Sequence, residues 1–143
     1  MMVYKKVSVS HLDRVKELLH SYDLPTEDLG STKIDLFEAL DKDMLVGCIG
    51  FEQYGNLALL RSLAVDGGHQ GKGIGKELVN FLEMYLTENG VSELYLLTET
   101  AEVFFNNRGY QSIDRAFTPE ALMVSAEFSH LCPDSAVLMM KQL

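Results

Sequence analysis

Leu57-Ala58-Leu59-Leu60-Arg61-Ser62-Leu63-Ala64-Val65-Asp66-Gly67-Gly68-His69-Gln70-Gly71-Lys72-Gly73-Ile74-Gly75-Lys76 decides how the rest of the chain is read. It runs as an apolar strand, a short polar turn, then glycine at the alternate positions 71, 73 and 75. Behind it, Ile74, Leu78, Phe81, Leu82, Tyr85 and Leu86 fall on one helical face. A strand that delivers a glycine turn to a helix N-terminus makes an anion site. The first N–H groups of the helix lack partners within it, and the helix dipole places partial positive charge there. Without Cβ atoms the backbone can close on a bulky phosphate, and Lys72 and Lys76 add two cationic side chains. A phosphate-bearing ligand is expected at this turn.

Spacing narrows which phosphate. A Walker A loop needs Gly five residues before Gly-Lys-Ser/Thr. Here Gln70 stands five before Gly75, and Glu77 follows Lys76. The dinucleotide fingerprint Gly-x-Gly-x-x-Gly fails as well, at Lys76 in one register and Leu78 in the other. Gln70-x-x-Gly73-x-Gly75, after a strand ending Leu63-x-Val65, resembles the acetyl-coenzyme A signature of the GNAT superfamily of N-acetyltransferases. The resemblance implies acetyl-coenzyme A as cosubstrate. The backbone of Leu63 and Val65 would bond the pantetheine arm in a gap between two splayed parallel strands. Gln70, Gly71, Lys72, Gly73, Ile74, Gly75 and Lys76 would hold the pyrophosphate.

The chain's 143 residues suit one domain, expected over 1–143. Its 47% hydrophobic and 23% charged residues are ordinary for a globular protein. No run is long enough to span a bilayer, and Met1-Met2-Val3-Tyr4-Lys5-Lys6 lacks an apolar signal core, so a cytoplasmic protein without membrane partners is expected. Twelve Lys and Arg against 21 Asp and Glu give a net charge of −9, which argues against a nucleic-acid partner. Cys48 and Cys132 have neither disulfide-framework nor zinc-site spacing, and no metal is expected. A homodimer is left open.

Residues 3–7 read as an edge strand. Ser10 to Asp13 reads as a capping box opening a helix whose face is Leu12, Val15, Leu18, Leu19 and Tyr22. Residues 34–40, 44–53 and 57–65 read as three antiparallel strands joined by tight turns. A helix over 73–88 then crosses to a buried strand over 93–98, parallel to the one at 57–65. A short helix within 100–110, a strand over 111–114, a helix capped by Thr118-Pro119 and a strand over 135–141 complete the chain. The expected fold is α/β: a mixed, mostly antiparallel sheet with a splayed parallel pair and helices on both faces. This order matches the GNAT plan.

Acetyl transfer requires a deprotonated amine and a leaving thiolate. In the GNAT pattern a Tyr in Ala-x-x-Leu-Tyr-x-x-x-Gly-Phe serves as acid. Here Ala101-Glu102-Val103-Phe104-Phe105-Asn106-Asn107-Arg108-Gly109-Tyr110 puts Phe105 at that position. Ser62, Tyr95, Thr98 and bound water remain as acid candidates, and Glu52, Glu99 and ordered water as base candidates. Arg61, alone in an apolar strand, needs a carboxylate, a ligand or solvent. It is either a member of a structural ion pair or a clamp on an anionic substrate. Leu96 to Ala101, Arg108-Gly109-Tyr110 and the tail from Phe128 to Val137 resemble amino-acid and arsenic-resistance N-acetyltransferases. That likeness implies a small, anionic acceptor amine, an amino acid or its arsenic-bearing analogue. The rival from another class is a coenzyme A-binding module without catalysis.

Overall fold

The computed structural model describes residues 2–143. In chain order these form β1 (Met2–Lys6), α1 (Leu12–His20), β2 (Ile34–Asp41), β3 (Met44–Tyr54), β4 (Leu57–Val65), α2 (Ile74–Glu88), β5 (Glu93–Thr98), α3 (Glu102–Asn106), β6 (Gln111–Ile113) and β7 (Val137–Gln142). The strands make one sheet in the order β1-β2-β3-β4-β5-β7-β6, in which only β4 and β5 are parallel. The crossover through α2 is what allows that parallel pair. The final strand inserts between β5 and β6, so β6 becomes the sheet edge.

Alternation along β3 and β4 sorts side chains to two faces. Ile49, Phe51, Ala58 and Leu60 pack under α2 with Leu78, Val79, Leu82 and Leu86. The opposite face is covered in two parts. Val15 and Leu19 of α1 pack on Leu36, Cys48 and Ala64, while Leu122 of the C-terminal segment packs on Leu59, Tyr95 and Leu138. Glu38, Glu52 and Arg61 also point to this second face, each at most 3% exposed. Burying three ionisable groups on one face requires that they find partners.

The parallel pair separates as expected. Pairing runs from Leu57↔Glu93 to Leu60↔Leu96 and stops, although β4 continues to Val65. A β-bulge explains the departure. The register against β3 slips between Cys48 and Gly50, and Ser62 sits at φ +58, a left-handed conformation unusual for serine. The extra residue bends β4 away from β5 and opens the sheet at its centre.

Two readings of helix starts are corrected. Ser10 caps nothing: a 3-10 turn over Val9–His11 leads into α1, whose N-cap is His11, and the Ser10 hydroxyl meets Ser8 at 3.0 Å. His11 instead turns its ring to the buried Glu38, 2.8 Å away. Thr118-Pro119 opens no α-helix either. A 3-10 turn spans Glu120–Val124, and a π turn spans Glu127–Leu131. The Thr118 hydroxyl donates back to the Arg115 carbonyl rather than capping forward.

Candidate active site

The opened sheet leaves a cleft of about 870 Å³ between the separated ends of β4 and β5. At one end stands the glycine turn. Gly71 and Gly73 adopt φ +83 and +80, conformations that favour glycine over residues carrying a Cβ. Gly73 is the N-cap of α2, with no side chain capping the helix. The leading N–H groups of a 15-residue helix therefore face the cleft without a side-chain acceptor. This is what a pyrophosphate requires.

Of the residues expected at the cofactor, Leu63, Val65, Gln70, Gly71, Gly73, Ile74, Gly75 and Lys76 line the cleft, and Lys72 does not. The Asp66 N–H bonds Val46 on β3. Strand alternation then turns the backbone groups of Val65 and Leu63 toward the gap. The Gln70 amide works within the protein, donating to the Tyr22 hydroxyl at 2.7 Å and the Val65 carbonyl at 3.2 Å. It ties the glycine turn to the end of β4 and to the residues after α1.

The other end of the cleft is ionic. The Arg61 guanidinium is fully buried. It forks onto Asp28, with Nη2 at 2.6 Å from Oδ1 and Nη1 at 2.7 Å from Oδ2. Nη1 also donates to Glu52 at 2.7 Å, and Nε stands 3.2 Å from the Ser62 hydroxyl and 3.5 Å from Glu127. Burial alone would lower the arginine's pKa, but the hydrogen bond to Asp28, the charge of Glu127 and the hydrogen bond to Glu52 outweigh it and raise it. The substrate clamp expected of Arg61 is thus replaced by the structural ion pair. The fork that an incoming anion would need is already occupied by Asp28 and Glu52.

The remaining expected residues divide. Ser62, Thr98 and Glu99 line the cleft. Thr98 Oγ1 accepts from the Ala101 N–H at 2.9 Å and starts the turn into α3. Tyr95 is corrected: it packs with Leu59 and Leu138 away from the cleft, its hydroxyl bonded to Glu93 at 2.6 Å. Glu52 is corrected as a base, because its carboxylate accepts from Arg61, Ser125 and Tyr54 behind the cleft wall. Phe105 reaches the cleft yet is 4% exposed, edge-on to both Phe104 and Tyr110.

Sequence reasoning missed Glu127. It opens the π turn, lines the cleft and is 4% exposed. Its backbone N–H donates to Ser125, whose hydroxyl donates on to Glu52. Burial pushes its pKa up to about 7, against the pull of Arg61 and with help from the nearby charges of Glu52 and Asp28. A cleft-facing carboxyl with that pKa can exchange a proton near neutrality.

The profile of the acetyltransferase (GNAT) domain family matches residues 33–112, more than half of the chain. The chain belongs to the GNAT acetyltransferase family. An uncharacterised N-acetyltransferase of Chlorobaculum tepidum is 38% identical over 89 residues, covering 62% of this chain and 57% of that protein. The match thus spans little more than half the length of that relative. Among solved structures, a GNAT acetyltransferase from Staphylococcus aureus superposes with a TM-score of 0.81 at 20% identity, covering 100% of this chain and 99% of its own. N-acetylglutamate synthase from Neisseria gonorrhoeae, complexed with coenzyme A and L-arginine, gives a TM-score of 0.83 at 15% identity, over 99% of this chain and 33% of the synthase. An aminoglycoside 6'-N-acetyltransferase complexed with coenzyme A gives 0.73 at 19% identity, over 98% and 96%. These likenesses share the GNAT fold. Within the GNAT plan the cleft described above lies at the separated parallel strands, with the glycine turn at its mouth.

Proposed function

We propose that this protein transfers the acetyl group of acetyl-coenzyme A to the nitrogen of a small amine. The observation that carries the reading is the uncapped N-terminus of α2, entered through left-handed Gly73 and open to a cleft made by the parting of β4 and β5. Residues 70–76, save Lys72, which lies outside the cleft lining, would hold the pyrophosphate, and the gap-facing backbone of Leu63 and Val65 would bond the amide-bearing arm.

At the other end, Glu127 would take the proton of the bound ammonium. The free amine then attacks the thioester carbonyl, the C–S bond breaks, and the extra proton left on the nitrogen passes to the departing coenzyme A thiolate. Phe105 cannot relay that proton. Ser62 and Thr98 are hydroxyls in the lining that could do so. Arg61 acts as a positioning residue, since its pairs to Asp28 and Glu52 fix the wall against which Glu127 rests.

The test is thiol release from acetyl-coenzyme A with a panel of small amines, alongside calorimetric binding of acetyl-coenzyme A. Amine-dependent release supports the transferase. Tight binding with no amine-dependent release across the panel leaves the non-catalytic coenzyme A-binding module.

A further inference from the structure

The ionic end of the cleft shows a ligand very little of its charge. No part of the Arg61 side chain is exposed, so the residue lines the cleft through its main chain. Four of its five N–H groups already have acceptors in Asp28, Glu52 and the Ser62 hydroxyl. The other cations of the lining stand at the cofactor end. His69 is paired to Asp66 at 3.0 Å in the glycine turn, and Lys76 lies in the first turn of α2. Arg108 stands over the ring of Phe104, which lies 3.5 Å from where a Cβ on Gly75 would be. Among the described residues, then, no Lys, Arg or His of the lining presents its charge where an acceptor's own anion would need it.

Beside Glu127 the wall is apolar, and three elements bring it together. Leu131 ends the π turn that Glu127 begins, a turn closed by the Cys132 N–H on the Glu127 carbonyl at 3.0 Å. Leu24 and Pro25 come just before Asp28, in the segment that the Arg61 fork ties down. Leu97 packs with Leu59 and Tyr95 on the sheet face that also carries Arg61 and Glu52. All four line the cleft and are half-buried, so each has apolar surface left to cover. Asp23 and Glu99 line the cleft as well, but both are exposed to solvent, where a charge is screened and holds a partner weakly.

A carboxylate on the acceptor would give up water here for no donor fork and would face the Glu127 charge. A second ammonium would give up water to leucine and proline, with Glu127 already engaged at the reacting nitrogen. An apolar body would release water from itself and from the wall. Resting on the acetyl-transfer reading, we propose that the acceptor is a primary monoamine on an uncharged, apolar body, its nitrogen at Glu127 and its body against Leu24, Pro25, Leu97 and Leu131.

Five compounds separate chain length from charge: ethylamine, n-butylamine, n-hexylamine, 1,4-diaminobutane and 4-aminobutyrate. Each is titrated calorimetrically into the full chain saturated with coenzyme A, and each is assayed for thiol release from acetyl-coenzyme A. Affinity is expected to rise about threefold to fourfold per methylene from ethylamine to hexylamine. Butylamine is expected to bind about tenfold or more tightly than either four-carbon compound with a second charged group. Leu131→Ala should cut the advantage of hexylamine over ethylamine while coenzyme A binds as in wild type. The proposal is overturned if the alkylamines do not bind, if their affinity is flat with length, or if Leu131→Ala keeps the full advantage. It is overturned equally if the diamine or 4-aminobutyrate binds as tightly as butylamine. If the alkylamines bind as expected but none of the five compounds releases thiol, the apolar acceptor pocket stands and the transferase reading falls.

Discussion

Arg61 and Asp28, 33 residues apart, meet in a two-point fork of 2.6 and 2.7 Å that fastens the segment between α1 and β2 to the centre of β4. The guanidinium is wholly buried and the carboxylate is 18% exposed. Removing the arginine leaves Glu52 and Glu127 buried without their counter-charge. Arg61→Ala is therefore expected to cost about 3–5 kcal/mol of stability. Asp28→Ala should cost roughly 1.5–3 kcal/mol, the range of hydrogen bonds to a charged group. Urea unfolding of both variants measures this. An Arg61→Ala protein as stable as wild type would show that the network holds nothing together.

The glycine turn separates backbone strain from ligand contact. Gly73 at φ +80 caps α2, so Gly73→Ala forces a left-handed alanine and should cost the protein about 1–2 kcal/mol. A Cβ on Gly75 would rest 3.5 Å from Phe104 and 3.7 Å from Val65, ordinary contacts that the fold accepts. Gly75→Ala should thus fold normally while acetyl-coenzyme A binds at least tenfold more weakly, because the added methyl stands where the phosphate approaches. Lys72 lies outside the cleft lining, and Lys72→Ala should cost nearer ~1 kcal/mol of affinity, as an outlying charge. Unchanged affinity in Gly75→Ala would remove the pyrophosphate from this turn.

The cofactor end was legible because its signal is contiguous: residues 57–76 carry strand, turn and helix start in one reading frame. The ionic end was not, because it is assembled from four separate places. Arg61 in an apolar strand announced that carboxylates must come to it. Alternation along β3 puts Glu52 on the same face, but nothing local marks Asp28 in its turn or Glu127 at the head of a π turn. The signal available for Glu127 was a lone acid between Ala126 and Phe128 in a half-buried stretch. The bulge was equally silent, since Ser62 takes up φ +58 where a glycine would have given notice. The Thr118-Pro119 reading failed for a tertiary reason. The segment that follows is bent to bring Leu122 onto Leu59 and Leu138 and Ser125 onto Glu52, which a straight helix would not do.

Phe105 fills the position where the family pattern places an acid, wedged between Phe104 and Tyr110 at ring distances of 5.1 and 5.4 Å. Phe105→Ala should cost roughly 3–5 kcal/mol through the cavity it leaves. Loss of packing against the cofactor should then raise KM more than it lowers kcat. Phe105→Tyr offers the missing hydroxyl, and kcat is expected to stay within a few-fold of wild type. A gain of orders of magnitude would mean that departure of the thiolate had been waiting for an acid, and that the native chain is a poor catalyst.

Glu127 links stability and activity through one proton. Its pKa rises from the ordinary 4.5 to about 7 in the folded chain, chiefly through burial. Below pH 4.5 both folded and unfolded chains are protonated there. Between pH 4.5 and about 7 the folded chain keeps a proton that the unfolded chain has lost, so stability falls as pH rises through this window and levels off above it. Glu127→Gln removes the effect. The variant's melting temperature should therefore gain on wild type by several degrees between pH 4.5 and 7.5, most of it before pH 7. Activity moves the opposite way. As the base, Glu127 must be ionised, so wild-type kcat at saturating amine should rise with pH up to about 7 and then level. Glu127→Gln should lower kcat by about 10²–10⁴-fold and flatten that limb. Melting curves and pH–rate profiles on the same preparations give both readings. A variant that gains stability yet keeps its rate would leave Glu127 a buried acid with no part in the chemistry.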